Sequence, residues 1–253
     1  MVTVPVKPEN RFHLRAEDLA RSITPNSRVL LLNTPSNPTG AVLDAAEIAE
    51  IGAVCRQHDL WILCDEVYAS LVFQGRFHSP FDNPDLAERT VVVSSVSKSH
   101  AMTGFRCGWA VGSQAFADAL LPLSETMLFG SQPFLEDATA FAISSDLAET
   151  RAMREAYRER AQTVVEALSN TPGISCHMPE GGMFIMADIR RTGLSGEAFA
   201  LRLMEEEQVV TMPGEAFGAY AAGHLRLALT LDKDRLAEAC RRISAFSRRL
   251  MAG

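Results

Sequence analysis

The sequence has no cysteine pairs. Its five cysteines, Cys55, Cys64, Cys107, Cys176 and Cys240, are odd in number and scattered, with no Cys-x-x-Cys spacing, which argues against a disulfide framework and against a structural zinc site. They fit a reducing cytosol. A basic excess is missing as well: Lys plus Arg is 24 against 31 for Asp plus Glu, a net charge of -7, so the electrostatic footprint of a general nucleic-acid binder is absent. No helix-turn-helix is visible. No apolar stretch approaches the roughly 18 to 20 residues a membrane-spanning helix needs. The start, Met1-Val2-Thr3-Val4-Pro5, has no basic segment leading into an apolar run and does not read as a signal peptide. Repeats and low-complexity tracts are missing too. His58, His78 and His177 have no metal-like spacing to other ligands, so no metal site is expected.

What is present is the composition of a soluble globular protein. Of 253 residues, 47% are hydrophobic and 22% charged, which excludes disordered, collagen-like and coiled-coil chains and suffices for one large domain or two modest ones. Short apolar runs at 29–32, 60–64, 91–93 and 107–111 alternate with helical periods over the first half. That is the pattern of βα units in a mainly parallel sheet, whose strands are covered on both faces. Between the first two runs, Asp44 and Glu47 predict a capping box, and Ile48, Ile51 and Cys55 keep a helical spacing.

The second half differs. A long helix is expected from about 136 to 168, with Met153, Tyr157, Val164, Val165 and Leu168 as its apolar stripe, ended by Thr171-Pro172-Gly173. Strands at 174–178, 183–189 and 224–229 then alternate with a helix beginning near Ser195, with Phe199, Leu203 and Met204 inward, and a closing helix capped by Asp232. The expected organisation is an α/β domain over residues 1–145, a mainly parallel sheet flanked by helices, followed by a small C-terminal α+β domain over 146–253, joined by the long helix.

The chemistry-bearing residues lie where the expected strands end, which is where open α/β sheets bind ligands. The first strand runs into Asn33-Thr34-Pro35-Ser36-Asn37-Pro38-Thr39-Gly40, by itself an ordinary turn. The second ends in Asp65-Glu66-Val67-Tyr68, by itself a solvated strand terminus. The third runs into Ser94-Ser95-Val96-Ser97-Lys98-Ser99-His100, followed by Met102-Thr103-Gly104-Phe105-Arg106, in which the arginine reads as buried and in need of an anionic partner. Together, a lysine among hydroxyls, an arginine behind it and an aspartate on the neighbouring strand describe a site for an anionic aromatic cofactor, with an amine for a Schiff base and a carboxylate for a pyridinium nitrogen. Pyridoxal phosphate is that cofactor.

These four segments, with Arg226 in His224-Leu225-Arg226-Leu227, resemble in order and approximate spacing the class I/II, fold type I aminotransferases that use pyridoxal 5'-phosphate. Within that family the chain is most similar to the arginine–pyruvate transaminases, through Ser97 to Gly104, Glu180-Gly181-Gly182-Met183-Phe184 and Gly214-Glu215-Ala216-Phe217-Gly218. The resemblance implies transfer of an amino group from an L-amino acid to a 2-oxo acid in a cytoplasmic homodimer, with arginine and pyruvate as the substrate pair, and with no nucleic-acid or membrane partner. It implies that Lys98 is the Schiff-base lysine and proton-transfer base, Asp65 the partner of the ring nitrogen, and Tyr68 and Asn37 the partners of the phenolic oxygen. Ser95, Ser97 and Arg106 would bind the phosphate. Asn37 and Arg226 would bind the substrate, Arg226 by clamping its α-carboxylate.

One departure accompanies the resemblance. The family's N-terminal segment, which supplies the first strands and a phosphate-binding helix N-terminus, is not in this sequence, so the large domain is expected to be incomplete with an exposed sheet edge. A β-eliminating lyase of the same fold, a cofactor-binding module and a catalytically incompetent aminotransferase fragment stay open beside transamination.

Overall fold

A computed structural model describes residues 1–252. The chain forms two compact units: Met1–Pro5, His13–Pro35 and Val42–Ala152 make the first, and Val6–Phe12, Ser36–Ala41 and the chain from Met153 onward make the second.

In the first unit the elements are α1 (Ala16–Ser22), β1 (Val29–Asn33), α2 (Ala45–Gln57), β2 (Trp61–Asp65), β3 (Thr90–Ser95), α3 (Val96–Ser99), β4 (Gly108–Val111), α4 (Gln114–Leu128) and α5 (Pro133–Ser144). The sheet order is β1-β2-β3-β4, the first three strands parallel and β4 antiparallel to β3. The parallel register sets Asn33 opposite Asp65 and Asp65 opposite Val93, so the polar strand ends gather on one edge. Leu30, Leu32, Ile62, Cys64, Val91 and Val92 are buried from the sheet, and Ile48, Ile51 and Cys55 from α2. The α2 capping box is present: Glu47 N donates to Asp44 Oδ1 at 2.8 Å and Asp44 N donates to Glu47 Oε2 at 3.0 Å, so two otherwise orphaned donors are satisfied.

Two expectations need correction here. Burial on both faces describes β3 better than its neighbours: β1 and β2 bury alternate residues, β1 leaving Leu31 66% exposed, and all four residues of β4 are exposed. The expected long helix from 136 to 168 is two helices, α5 and α6 (Ala148–Leu168), because Ser145 takes an extended backbone between them. α1 and α4 are helices that the hydrophobic periodicity does not announce, and α4 buries none of its residues. The boundary between the two units falls inside α6, which buries Tyr157, Ala161, Val164 and Leu168 at helical spacing.

The second unit holds β5 (Ser175–Cys176), β6 (Phe184–Asp188), α7 (Gly196–Glu207), β7 (Met212–Pro213), β8 (His224–Ala228) and α8 (Lys233–Ala252). Its sheet is antiparallel, in the order β5-β6-β8-β7. Ser195 caps α7 by accepting from Ala198 N at 3.1 Å, and Asp232 accepts from Arg235 N at 2.9 Å at the head of α8. Phe199 and Phe246 meet edge to face at 4.9 Å between these helices. Met204, expected inward, is 43% exposed. Residues 36–41 belong with this unit because Glu180 N and Gly181 N both donate to the Gly40 carbonyl, at 2.9 and 3.0 Å.

Candidate active site

The first unit presents one group of polar residues at the carboxyl edge of its parallel strands. Asp65 closes β2 with Oδ1 accepting from Val67 N at 3.0 Å, and nothing among the described residues donates to its other oxygen. Asn33, opposite it on β1, donates from its amide to the Asp65 carbonyl at 3.0 Å and ties the two strand ends together. Ser95 ends β3 and caps the short α3 by accepting from Ser97 N at 3.3 Å. The next turn carries Lys98, half-buried, whose ammonium makes no hydrogen bond or ion pair among the described residues. Tyr68 is buried just past β2. An amine without an acidic partner, among serines on the turn after β3 and one strand over from the strand that Asp65 ends, is a donor set for a ligand carrying both a carbonyl and an anionic group.

Arg106 stands differently from its expected place. It is exposed, its backbone is left-handed at φ 54°, and its guanidinium donates to the Thr103 carbonyl at 3.0 Å. No carboxylate pairs with it among the described residues, so its charge is available to an anion from solvent.

Beside Asp65 lies a residue that the strand-end reading passes over. Glu66 is buried at 8% exposure, and Ser79 Oγ–H donates to its Oε1 at 2.5 Å. Burial pushes its carboxyl up to about 7, the hydrogen bonds from Ser79 and Cys64 pulling the other way and the charges of Asp82 and Asp65 adding to the rise. A buried acid directly behind a strand-end aspartate is legible only as an acidic residue in an apolar run.

The second unit presents Arg226 in the middle of β8. Its Nη1 donates to Asn37 Oδ1 at 3.0 Å, and its guanidinium carbon lies 4.2 Å from the centroid of the Phe184 ring and 4.8 Å from that of Phe217. Asn37 is held there by its own loop: Gly40 N donates to Ser36 O at 2.8 Å, and Gly40 takes φ +73° with no room for a Cβ against Pro179. The structure therefore joins Asn37 to Arg226 in this unit; in the other, Asp65 and Ser95 end adjacent strands, with Tyr68 three residues past Asp65 and with Ser97 and Lys98 in the short helix after Ser95. Phe184 and Phe217 enter the sequence reading only as parts of matching segments; the signal for Phe184 is its period-two relation to Met186 on the strand paired with Arg226.

Against known families, residues 1–243 match the model for aminotransferase class I and II. The chain belongs to that family. Arginine–pyruvate transaminase AruH of Pseudomonas aeruginosa is 48% identical over 251 residues, 99% of this chain and 64% of that protein. An aspartate aminotransferase of Bacillus subtilis is 33% identical over 245 residues, 94% of this chain and 62% of that one. Among solved structures, the aromatic aminotransferase of Pyrococcus horikoshii superposes with a TM-score of 0.94 at 30% identity, covering 98% of this chain and 67% of that one. The chain thus spans a little under two thirds of the length of the curated relatives it matches. The fold is the one those aminotransferases share, an α/β sheet unit with a small antiparallel α+β unit. No described helix is long and apolar enough to cross a membrane.

Proposed function

We propose that this chain carries the catalytic residues of a pyridoxal-phosphate-dependent transaminase, which moves an amino group from an L-amino acid to a 2-oxo acid, with arginine and pyruvate as the substrate pair. The observation that carries the reading is Lys98: an ammonium with no acidic partner, on the turn after β3, with Asp65 ending the adjacent strand. Family membership and the 48% identity to an arginine–pyruvate transaminase support the reaction and the pair.

The donor set fits the cofactor. When bound, pyridoxal phosphate supplies the aldehyde that takes up the amino group and a ring that accepts the electrons of a broken Cα–H bond. Lys98 would hold the cofactor through that aldehyde and would carry the proton taken from the substrate Cα. Asp65 holds the proton on the ring nitrogen, for which its second carboxylate oxygen is open. The Tyr68 hydroxyl and the Asn37 amide orient the ring through its phenolic oxygen. The phosphate falls to the Ser95 and Ser97 hydroxyls and the unpaired charge of Arg106. Arg226 fixes the substrate α-carboxylate and so the direction of the Cα–H bond. A homodimer is the expected working assembly.

The experiment is the visible absorption spectrum of the purified chain mixed with pyridoxal phosphate, before and after borohydride, with Lys98→Ala as control. A band that borohydride fixes in the wild type and not in the variant supports the reading and opens an amino-donor screen with pyruvate. Identical behaviour of the two, with cofactor lost on dialysis, overturns it. In the donor screen, release of ammonia without a 2-oxo acid acceptor would mark elimination instead of transfer.

A further inference from the structure

We propose that Phe184 and Phe217 are positioning residues that make the Arg226 site select a planar carboxylate over a tetrahedral anion of the same charge. The inference rests on Arg226 being the carboxylate clamp and goes beyond it, to what shapes the clamp.

The geometry begins in the sheet. β6 and β8 are antiparallel, with Met186 opposite Arg226 and Phe184 opposite Ala228, so Phe184 and Arg226 are diagonal neighbours on one face, within reach of an aromatic ring. The Phe184 centroid is 4.2 Å from the guanidinium carbon, close enough for the ring quadrupole to attract the cation. Phe217 comes from the short turn Gly214–Phe217 that follows β7, and its ring lies 4.8 Å from the same carbon.

That turn is anchored from below. Glu215 Oε1 accepts from Gly196 N at 2.8 Å, at the first residue of α7, and from Gly223 N at 3.2 Å, just before β8. A Cβ on Gly196 would overlap the Glu215 carboxylate, and one on Gly214 would overlap the Ala221 carbonyl, so the turn approaches its neighbours as closely as backbone allows. Phe217 is thereby fixed from the head of α7 and the start of β8, not left to a free loop.

The consequence for recognition follows from guanidinium geometry. All five N–H donors of arginine lie in one plane, and Asn37 Oδ1 already takes one of them. A carboxylate meets the fork with both oxygens in that plane. A phosphonate monoester carries the same single charge but places an oxygen or its ester group out of the plane, into space that two rings within 5 Å of the guanidinium carbon crowd. Charge alone does not separate these ligands; the rings do.

The test is direct binding of pyruvate and of methyl acetylphosphonate, a singly charged tetrahedral mimic, to the full chain by titration calorimetry. It compares wild type, Phe184→Leu, Phe217→Leu, Phe217→Tyr and Arg226→Lys. The readout is the ratio of the two dissociation constants within each variant, which a reduced folded fraction leaves unchanged. The expected result is that wild type favours pyruvate, that either leucine variant shrinks the preference by about tenfold, and that Phe217→Tyr keeps it. A wild-type preference that both leucine variants retain, while Arg226→Lys loses pyruvate, overturns the role of the rings and leaves the clamp standing. Pyruvate binding that is absent from wild type, or unchanged in Arg226→Lys, overturns the clamp and the proposal with it.

Discussion

Arg226 and Asn37, 189 residues apart in sequence, are joined by a 3.0 Å hydrogen bond from Nη1 to Oδ1. The bond holds one corner of a guanidinium that two phenylalanine rings also approach, and it leaves Asn37 Nδ2 to donate elsewhere. Replacing Asn37 by alanine removes the corner without touching the charge. Hydrogen bonds to charged groups contribute about 1.5 to 3 kcal/mol when buried, and less at an exposed position such as this one. Asn37→Ala should therefore weaken pyruvate binding by about fivefold to tenfold in calorimetry, with the unfolding midpoint unchanged. A weakening matched by an equal fall in thermal stability would mean the residue only braces its loop.

Gly40 decides whether that loop can form at all. Its φ is +73°, and a Cβ there would run into Pro179 and lie 2.9 Å from the Gly181 carbonyl, while its own carbonyl accepts from Glu180 N and Gly181 N. Gly40→Ala combines left-handed strain with a backbone clash, and should cost about 2 kcal/mol or more in urea unfolding. Asn37 rides on the same loop, so pyruvate affinity should fall with it. Unchanged stability would show that the loop is not fastened to the 179–181 turn in solution.

Much of this was legible in the residues themselves. The runs that became β1, β2 and β3 are short, branched and bounded by turn residues, and their ends placed Asp65, Ser95, Ser97 and Lys98 on one strand edge. Asp44, Ser195 and Asp232 announced three helix starts because a cap is a local bond. What failed was non-local. The loop from Ser36 to Ala41 follows β1 in sequence yet is fastened to the turn at 179–181, a pairing that no local signal announces. Arg106 was read as buried because apolar neighbours flank it, yet its left-handed backbone carries it to the surface. The break between α5 and α6 has neither glycine nor proline at Ser145-Asp146-Leu147, and no periodicity signals it.

Glu215 ties the Phe217 turn to the head of α7, and its charge is what it contributes there. Burial raises its carboxyl, but three backbone N–H donors and the nearby His224 outweigh that and hold it below the ordinary carboxylate range. A folded-state value below the unfolded one gives stability that is fully present above the unfolded value, near 4.5, and is lost as pH falls through the folded one. Glu215→Gln should accordingly melt below wild type at pH 7, and the gap should close as pH falls through the folded-state value. In the same variant the Phe217 ring is less firmly fixed, so the preference for pyruvate over methyl acetylphosphonate should narrow as well. A gap that never narrows on acidification would assign the effect to shape instead of charge.

Glu66 carries the opposite sign. It is 8% exposed with its carboxyl pushed up to about 7 by burial, against 4.5 for the free side chain. Between those two values the folded chain binds a proton that the unfolded chain has released, so stability falls as pH rises through this window and levels off above it. The shift corresponds to at most about 3 kcal/mol at pH 8, at roughly 1.4 kcal/mol per unit. Glu66→Gln keeps the shape and a hydrogen-bond acceptor for Ser79 Oγ, 2.5 Å away in the wild type, but cannot ionise. The variant should match wild type in thermal unfolding near pH 4.5 and exceed it at pH 8, with the gap opening between those two values and levelling off above pH 7. Because Asp65 is the adjacent residue, removing the Glu66 charge also removes a like charge from beside the carboxylate proposed to hold the ring nitrogen. Cofactor affinity of the variant, followed by absorbance, should therefore change above pH 7 and not below it. Equal stability of the two proteins at every pH would mean that water reaches the Glu66 carboxylate and that it ionises as an ordinary surface acid.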